Sequence, residues 1–281
     1  MNGTLYLCAT PIGNLGDISA RCLEVLESVD LIAAEDTRRT VQLLNHFGIS
    51  KPLTSYHEHN KREKGEYIIS LLKDGKNVAQ VSDAGTPAIS DPGEDLVKLC
   101  IENDITVTSV PGPVAGINAL ILSGLPTRRF SFEGFLSVNK RHRTEHLASL
   151  KNDTHTLIFY EAPHKLRTTL ADMATVFGGE RKIALVRELT KLHEEVIRTT
   201  LADALSLYEE RSPRGEYVLI IEGAREKSDD TEEWWTALSV TEHVEKYIND
   251  GLTSKEAIKK TAADRNVPKR DVYGEYHGLD S

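Results

Sequence analysis

The sequence lacks the two glycine-rich motifs that most often hold nucleotide phosphates. No G-x-G-x-x-G follows the first apolar run, and no G-x-x-x-x-G-K-[ST] occurs anywhere in the 281 residues. In both motifs, backbone amides and a helix start surround a phosphate group. Their absence argues against a dinucleotide oxidoreductase and against a nucleoside triphosphatase.

Cysteine, long apolar runs and positive charge are also scarce. The three cysteines, Cys8, Cys22 and Cys100, lack metal-like spacing, and we expect them to be reduced and buried. No apolar run approaches the roughly 18 residues of a membrane span, and the N-terminus has no secretory pattern, so we expect a cytoplasmic protein. The net charge is −9, and a nucleic-acid partner would therefore have to meet local basic patches.

The most informative segment present is VSDAGTPAISDPG at 81–93. It follows an apolar run at 77–81 that predicts a buried strand, and open α/β sheets bind ligands in loops at the carboxyl ends of their strands. Gly85 allows close backbone approach, and Asp83 is a candidate acceptor for ligand hydroxyl or amino groups. The alternative is a plain strand-to-helix turn in which Asp91 or Asp95 caps the next helix.

Similar glycine- and proline-rich loops follow three other predicted strands, at 10–17, 111–116 and 161–164. Strands alternate with helices predicted at 18–29, with Asp17 as N-cap, at 37–47, at 67–73 and at 114–123. Further strands are predicted at 31–34, 130–135, 157–160, 183–186 and 217–222. This pattern predicts an α/β fold with a crevice along one edge of a parallel sheet.

The ordered motifs ATPIGNLGD, AEDTR, SYHEHN, VSDAGTPAISDPG, VPGP, FEGF, FYEAPHKL, RELTKLHEE and GEYVLIIEG resemble the ribosomal RNA small subunit methyltransferase I family. That family belongs to the tetrapyrrole methylase superfamily. The resemblance implies two α/β domains, at 1–113 and 114–224, with a cofactor cleft between them. It also implies 2′-O-methylation of a cytidine in 16S ribosomal RNA, as naked RNA or in the assembled small subunit, by a homodimer.

The cofactor implied by the resemblance is S-adenosylmethionine, a sulfonium without phosphate groups. Matching positions of the motifs assign its binding to loops of both domains. The residues so assigned are Pro11, Val81, Ser82, Asp83, Thr86, Val114, Ala115, Glu161 and Leu189. The residue chemistry itself favours Asp83, whereas Val114, Ala115 and Leu189 would equally serve as packing residues.

The remaining polar motifs suggest an acceptor pocket. Charged groups near a ligand cleft are more often binding or acid–base groups than packing groups, which favours Glu35, Arg38, His57 and Arg21. Glu35 or His57 would accept the proton and the arginines would hold the nucleotide. Asp36 or Thr37 could instead cap a helix. His57 and His59 lack a third metal ligand nearby, so no metal site is expected.

The end of the chain differs in composition. An acidic stretch at 223–233 indicates a linker, and helices are predicted at 234–248, 254–263 and 269–276, typical of a helix-turn-helix module. Its surplus of basic residues, Lys255, Lys259, Lys260, Arg265, Lys269 and Arg270, predicts RNA binding by residues 234–281. A solvated charged face is the structural alternative. Two other functions stay open, a tetrapyrrole methylase and a non-catalytic RNA-binding assembly factor.

Overall fold

A computed structural model describes residues 1–225 and 234–278, which divide into two compact units, 1–224 and 225–281. The predicted linker at 223–233 therefore lies largely outside the described residues. None of the described helices is long and apolar enough to cross a membrane. The two units are considered separately.

The first unit begins with a fully parallel sheet in the order β3-β2-β4-β1-β5. Its strands are β1 (Thr4–Cys8), β2 (Leu31–Ala34), β3 (Leu53–Ser55), β4 (Val78–Val81) and β5 (Thr106–Val110). The connecting helices are α1 (Ala20–Ser28), α2 (Thr37–His46), α3 (Lys61–Lys73) and α4 (Gly93–Glu102). Because all five strands run the same way, the loops after β1, β4 and β5 meet at one edge, as predicted, and the loop after β2 lies at the same edge.

The alternation of side chains along these strands gives the sheet two cores. Leu31 and Ala33 of β2 pack into one cluster, whereas Ile32 and Ala34 pack into the other. Such strands are apolar on both faces, which is typical of parallel sheets covered by helices. All three cysteines are buried and free, as expected.

The second half of this unit is a mixed sheet in the order β6-β7-β10-β8-β9. Its strands are β6 (Phe130–Phe135), β7 (Thr156–Glu161), β8 (Lys182–Arg187), β9 (Glu195–Thr200) and β10 (Tyr217–Ile221). Its helices are α5 (Ala115–Ser123), α6 (Lys140–Ser149), α7 (Leu166–Phe177) and α8 (Leu201–Glu210). β6 and β7 run parallel, but β10 is antiparallel to both β7 and β8. The crevice is thus bordered by one parallel and one mixed sheet.

Several predicted boundaries need correction. Helix α1 begins at Ala20 and is capped by Ser19, because Asp17 lies in a short 3₁₀ turn before it. Neither Asp91 nor Asp95 caps α4, whose N-cap is Pro92. Asp36 is the N-cap of α2, one of the two candidates for that position.

The second unit has three helices around a small apolar core: α9 (Val240–Asn249), α10 (Ser254–Asp264) and α11 (Lys269–His277). α9 begins six residues later than predicted. Ser239 with Glu242, and Thr253 with Glu256, form capping boxes that start α9 and α10. The starts of both helices are therefore set by local sequence motifs.

Candidate active site

Three loops are tied together at the carboxyl edge of the first sheet. Thr10 and Gly85 exchange two backbone hydrogen bonds, of 2.9 and 3.0 Å, and the Thr86 hydroxyl donates to the Pro113 carbonyl at 3.0 Å. Gly85 has φ +85°, and a Cβ there would lie 3.3 Å from Ile12 Cγ2. The loops after β1, β4 and β5 therefore form one continuous, tightly packed rim.

A first cavity of about 610 Å³ opens beside this rim and extends to the second sheet. Of the residues assigned to the cofactor, the following line it: Ser82, Asp83, Thr86, Val114, Ala115, Glu161 and Leu189. Val81 is buried in the core of β4, and Pro11 lines a separate, second cavity.

The first cavity combines an apolar wall with an acidic one. Five carboxylates line it, those of Glu35, Asp83, Asp91, Glu161 and Glu216. Among the described lining residues, Arg39 supplies the single guanidinium group. Aliphatic side chains and the aromatic rings of Phe135, Tyr160 and Tyr217 complete the wall. Such a cavity suits a ligand that carries positive charge and apolar surface.

Two apolar residues of this wall are held by strained backbone. Ile89 lies between Ala88 (φ 67°) and Ser90 (φ 60°). Leu189 lies between Glu188 (φ 51°) and Thr190 (φ 66°). Positive φ is unfavourable for residues with a Cβ and is found disproportionately at functional sites. The repeated arrangement supports a ligand-binding role for both loops.

Asp91 holds the first of these loops in place. Its Oδ1 accepts from Ala88 N at 3.0 Å and from Gly93 N at 2.7 Å, and its Oδ2 also accepts from Ala88 N at 3.0 Å. Sequence reasoning treated Asp91 only as a possible helix cap. Burial raises the pKa of its carboxyl group.

Asp83 lies at the centre of the rim. Its Oδ1 accepts from the backbone N–H of Asp36 at 3.0 Å, and its Oδ2 pairs with Arg39 Nη1 at 3.0 Å. Glu161 is 3% exposed and accepts from Thr169 Oγ1 at 2.5 Å and from Ala162 N at 2.8 Å. Both carboxylates are thus oriented by neighbouring groups.

Of the four residues predicted for catalysis, Glu35 lines the first cavity. Burial raises the pKa of its carboxyl group, and the nearby carboxylates of Asp83 and Asp91 raise it further. A carboxyl group tuned upward in this way suits proton transfer near neutral pH.

The other three, Arg21, Arg38 and His57, line neither cavity. Arg21 donates to the Ser109 carbonyl at 2.6 Å, and Arg38 forms two side-chain hydrogen bonds with Asp36, of 2.7 and 3.0 Å. His57 Nδ1 is buried and has no partner among the described residues. No group of three or more His, Cys, Asp or Glu side chains suited to a metal occurs in 1–225 or 234–278.

Arg39, Tyr160 and Ile89 line the first cavity but were not predicted as site residues from the sequence. Asp36 caps α2, and Arg39 in the first turn of that helix pairs with Asp83. Tyr160 accepts a hydrogen bond from Gly116 N at 3.0 Å, which links β7 to the start of α5. The spacing of Arg39, Gln42 and His46 along one face of α2 was the available signal for the second cavity.

Comparison with known proteins agrees with this architecture. The model of the Tetrapyrrole (Corrin/Porphyrin) Methylases matches residues 4–205. A uroporphyrin-III C-methyltransferase of Thermus thermophilus, solved with S-adenosylhomocysteine, superposes with TM-score 0.56 over 78% of this chain and 97% of that one, at 14% identity. The fold is that of a tetrapyrrole methylase.

Closer relatives narrow the class. A protein of Halalkalibacterium halodurans is 52% identical over 98% of this chain and 95% of its own length, and one of Bacillus subtilis is 51% identical over 98% and 94%. Both are named ribosomal RNA small subunit methyltransferase I. This chain belongs to that family.

Proposed function

We propose that this protein 2′-O-methylates a cytidine ribose in 16S ribosomal RNA, using S-adenosylmethionine. The observation that carries the proposal is the similarity, over 98% of the chain, to a relative named ribosomal RNA small subunit methyltransferase I. The matched residues include those that line both cavities and those of the C-terminal helices. The substrate implies a cytoplasmic location.

The donor set of the first cavity fits S-adenosylmethionine. Carboxylates outnumber cations there, which favours a sulfonium and an ammonium group, and the apolar wall accepts an adenine ring. The α5 N-terminus lines the cavity at Val114 and Ala115 and carries no side-chain cap, which favours a carboxylate group. When bound, the cofactor supplies an electrophilic methyl group.

Glu35 is the residue we assign to accept the proton of the attacking hydroxyl. It follows β2, lines the cavity beside Asp83, and its raised pKa brings it towards neutral pH. Positioning of the attacking hydroxyl lowers the reaction barrier more than the base does, by on the order of 7–11 kcal/mol. A general base accelerates the reaction by about 10²–10⁴-fold. Arg21, Arg38 and His57 keep their proposed acceptor role only if bound RNA extends beyond the cavities.

The helices of the second unit supply a surface for RNA. Lys255, Lys259, Lys269 and Arg270 are exposed on α10 and α11. Arg265 must be removed from the predicted basic surface, because it donates to the carbonyls of Trp235, Leu238 and Ser239. Arg143, on α6 of the first unit, is buried and pairs with Asp172 at 2.6 Å, so it does not add to a surface for RNA.

A homodimer is the assembly we propose. β6 is an edge strand whose aromatic residues Phe130, Phe132 and Phe135 are exposed, and α5 beside it exposes Ile117 and Ile121. Apolar side chains on an unpaired strand edge are typical of interfaces.

The test is transfer of tritium from labelled S-adenosylmethionine to small ribosomal subunits, followed by nuclease mapping. We expect label in a cytidine ribose, and a loss of about 10²–10⁴-fold in single-turnover rate for Glu35→Gln. Glu24→Gln, on the exposed face of α1, is the matched control. In a parallel reaction with a tetrapyrrole as the acceptor, label in the macrocycle would identify a tetrapyrrole methylase, and no transfer to either acceptor would identify a non-catalytic RNA-binding factor.

A further inference from the structure

A second cavity, of about 390 Å³, lies against the first one. Its size is within the range of about 300–1,000 Å³ typical of ligand pockets. One wall is the loop after β1, with Thr10, Pro11, Gly13 and Leu15, and the other is helix α2. Arg39, Ser82 and Asp83 line both cavities, so the two meet at the Arg39–Asp83 ion pair.

The α2 wall is a single helix face. Asp36 caps the helix, and Arg39, Gln42, Leu43 and His46 then follow at i, i+3, i+4 and i+7, which places them on one side. Three of these four side chains carry hydrogen-bond donors. Gln42 and His46 are exposed, and the Arg39 side chain is 66% exposed.

The two cavities differ in charge. The first is lined by five carboxylates. Among the described residues that line the second, Asp83 supplies the single carboxylate, and it is paired with Arg39. The donors of the second cavity, a guanidinium, an amide and an imidazole, suit phosphate, ribose and base oxygen atoms. The first cavity therefore favours a cationic ligand, whereas the donors of the second favour a ligand rich in oxygen acceptors.

We propose that Arg39, Gln42 and His46 form the binding site for a nucleotide of the acceptor RNA, next to the cofactor cavity. This inference rests on the proposed function and adds the residues that hold its substrate. A nucleotide bound there is separated from the first cavity only by the shared residues Arg39, Ser82 and Asp83. Arg38 is less suited, because its Nε and Nη2 already bond Asp36.

The test compares Gln42→Ala and His46→Ala with Asn45→Ala. Asn45 is an exposed amide on the same helix that does not line the cavity. We expect the first two to raise KM for small-subunit RNA about threefold to tenfold, the size expected for one or two lost hydrogen bonds, with kcat unchanged. Asn45→Ala should match the wild type.

Calorimetric titration with S-adenosylhomocysteine provides the second measurement. All three variants should bind it as the wild type does, because the substituted side chains lie outside the first cavity. Weakened binding in Gln42→Ala and His46→Ala would assign the second cavity to the cofactor and overturn the proposal. If the wild-type protein is active on RNA but Gln42→Ala and His46→Ala have the same KM as Asn45→Ala, the proposal is also overturned. A wild-type protein inactive on RNA would refute the proposed function itself, and this inference with it.

Discussion

Replacement of Asp83 by alanine separates cofactor binding from folding. The carboxylate lines the first cavity and also makes two contacts within the protein, one to the Asp36 backbone and one to Arg39. Alanine removes all three interactions at once. Cofactor binding and folding are measured by different assays, so the two effects can be separated.

The cofactor contact has the larger effect on binding. A hydrogen bond to a charged acceptor contributes about 1.5–3 kcal/mol, which corresponds to a roughly 10–150-fold weaker dissociation constant. Folding loses less, because the Arg39 ion pair is largely solvent-exposed and the Asp36 N–H is only partly buried. We expect the free energy of unfolding to fall by about 1–2 kcal/mol.

Calorimetric titration with S-adenosylmethionine and thermal unfolding measure the two effects. Asp95→Ala is the control, since Asp95 pairs with Lys61 on α3 and lines neither cavity. If Asp83→Ala binds the cofactor as tightly as Asp95→Ala does, Asp83 is only a turn residue and the assignment is refuted.

Two further predictions concern the proton acceptor and the C-terminal helices. Because the Asp91 carboxylate raises the pKa of Glu35, Asp91→Asn should lower that pKa and move the acidic limb of the kcat/KM profile to lower pH. The Asn Oδ1 can still accept from Ala88 and Gly93, and an unmoved limb would exclude Glu35 as the base. Ending the chain after Ala224 should leave cofactor affinity unchanged and flatten the salt dependence of RNA binding, by about 0.7 in slope per lost contact on single strands. Filter binding at several salt concentrations measures this, and an unchanged slope would show that the basic helices do not contact RNA.

The sequence predicted most of the first sheet because its signals are local. Apolar runs ending in glycine- and proline-rich loops mark β1, β4 and β5 and the edge where those loops meet. The short edge strand β3 was missed, since three half-buried residues carry no periodicity. β9 was missed because its residues are only partly buried or exposed and do not alternate as a half-buried strand does.

The site was harder to predict than the sheet. Asp83 and Glu161 lie in recognisable sequence motifs, and both line the first cavity. The choice between Arg38 and Arg39 depends on the helix phase that the Asp36 cap sets and on where Asp83 lies, 47 residues further along the chain from Asp36. A linear motif does not contain that information, because it is a property of two loops brought together by β2 and β4.

The order of strands in the mixed sheet affects how this part of the protein folds during translation. β10 lies between β7 and β8, yet it is the last strand of that sheet to be synthesised. The first sheet has all its strands once Val110 has emerged, and domains generally fold from the N-terminus as translation proceeds. The mixed sheet has no central strand until Ile221 is in place, so β7 and β8 each wait with one edge unpaired. Translation that stops short of β10 therefore leaves the first cavity without the wall formed by Tyr217 and Val218.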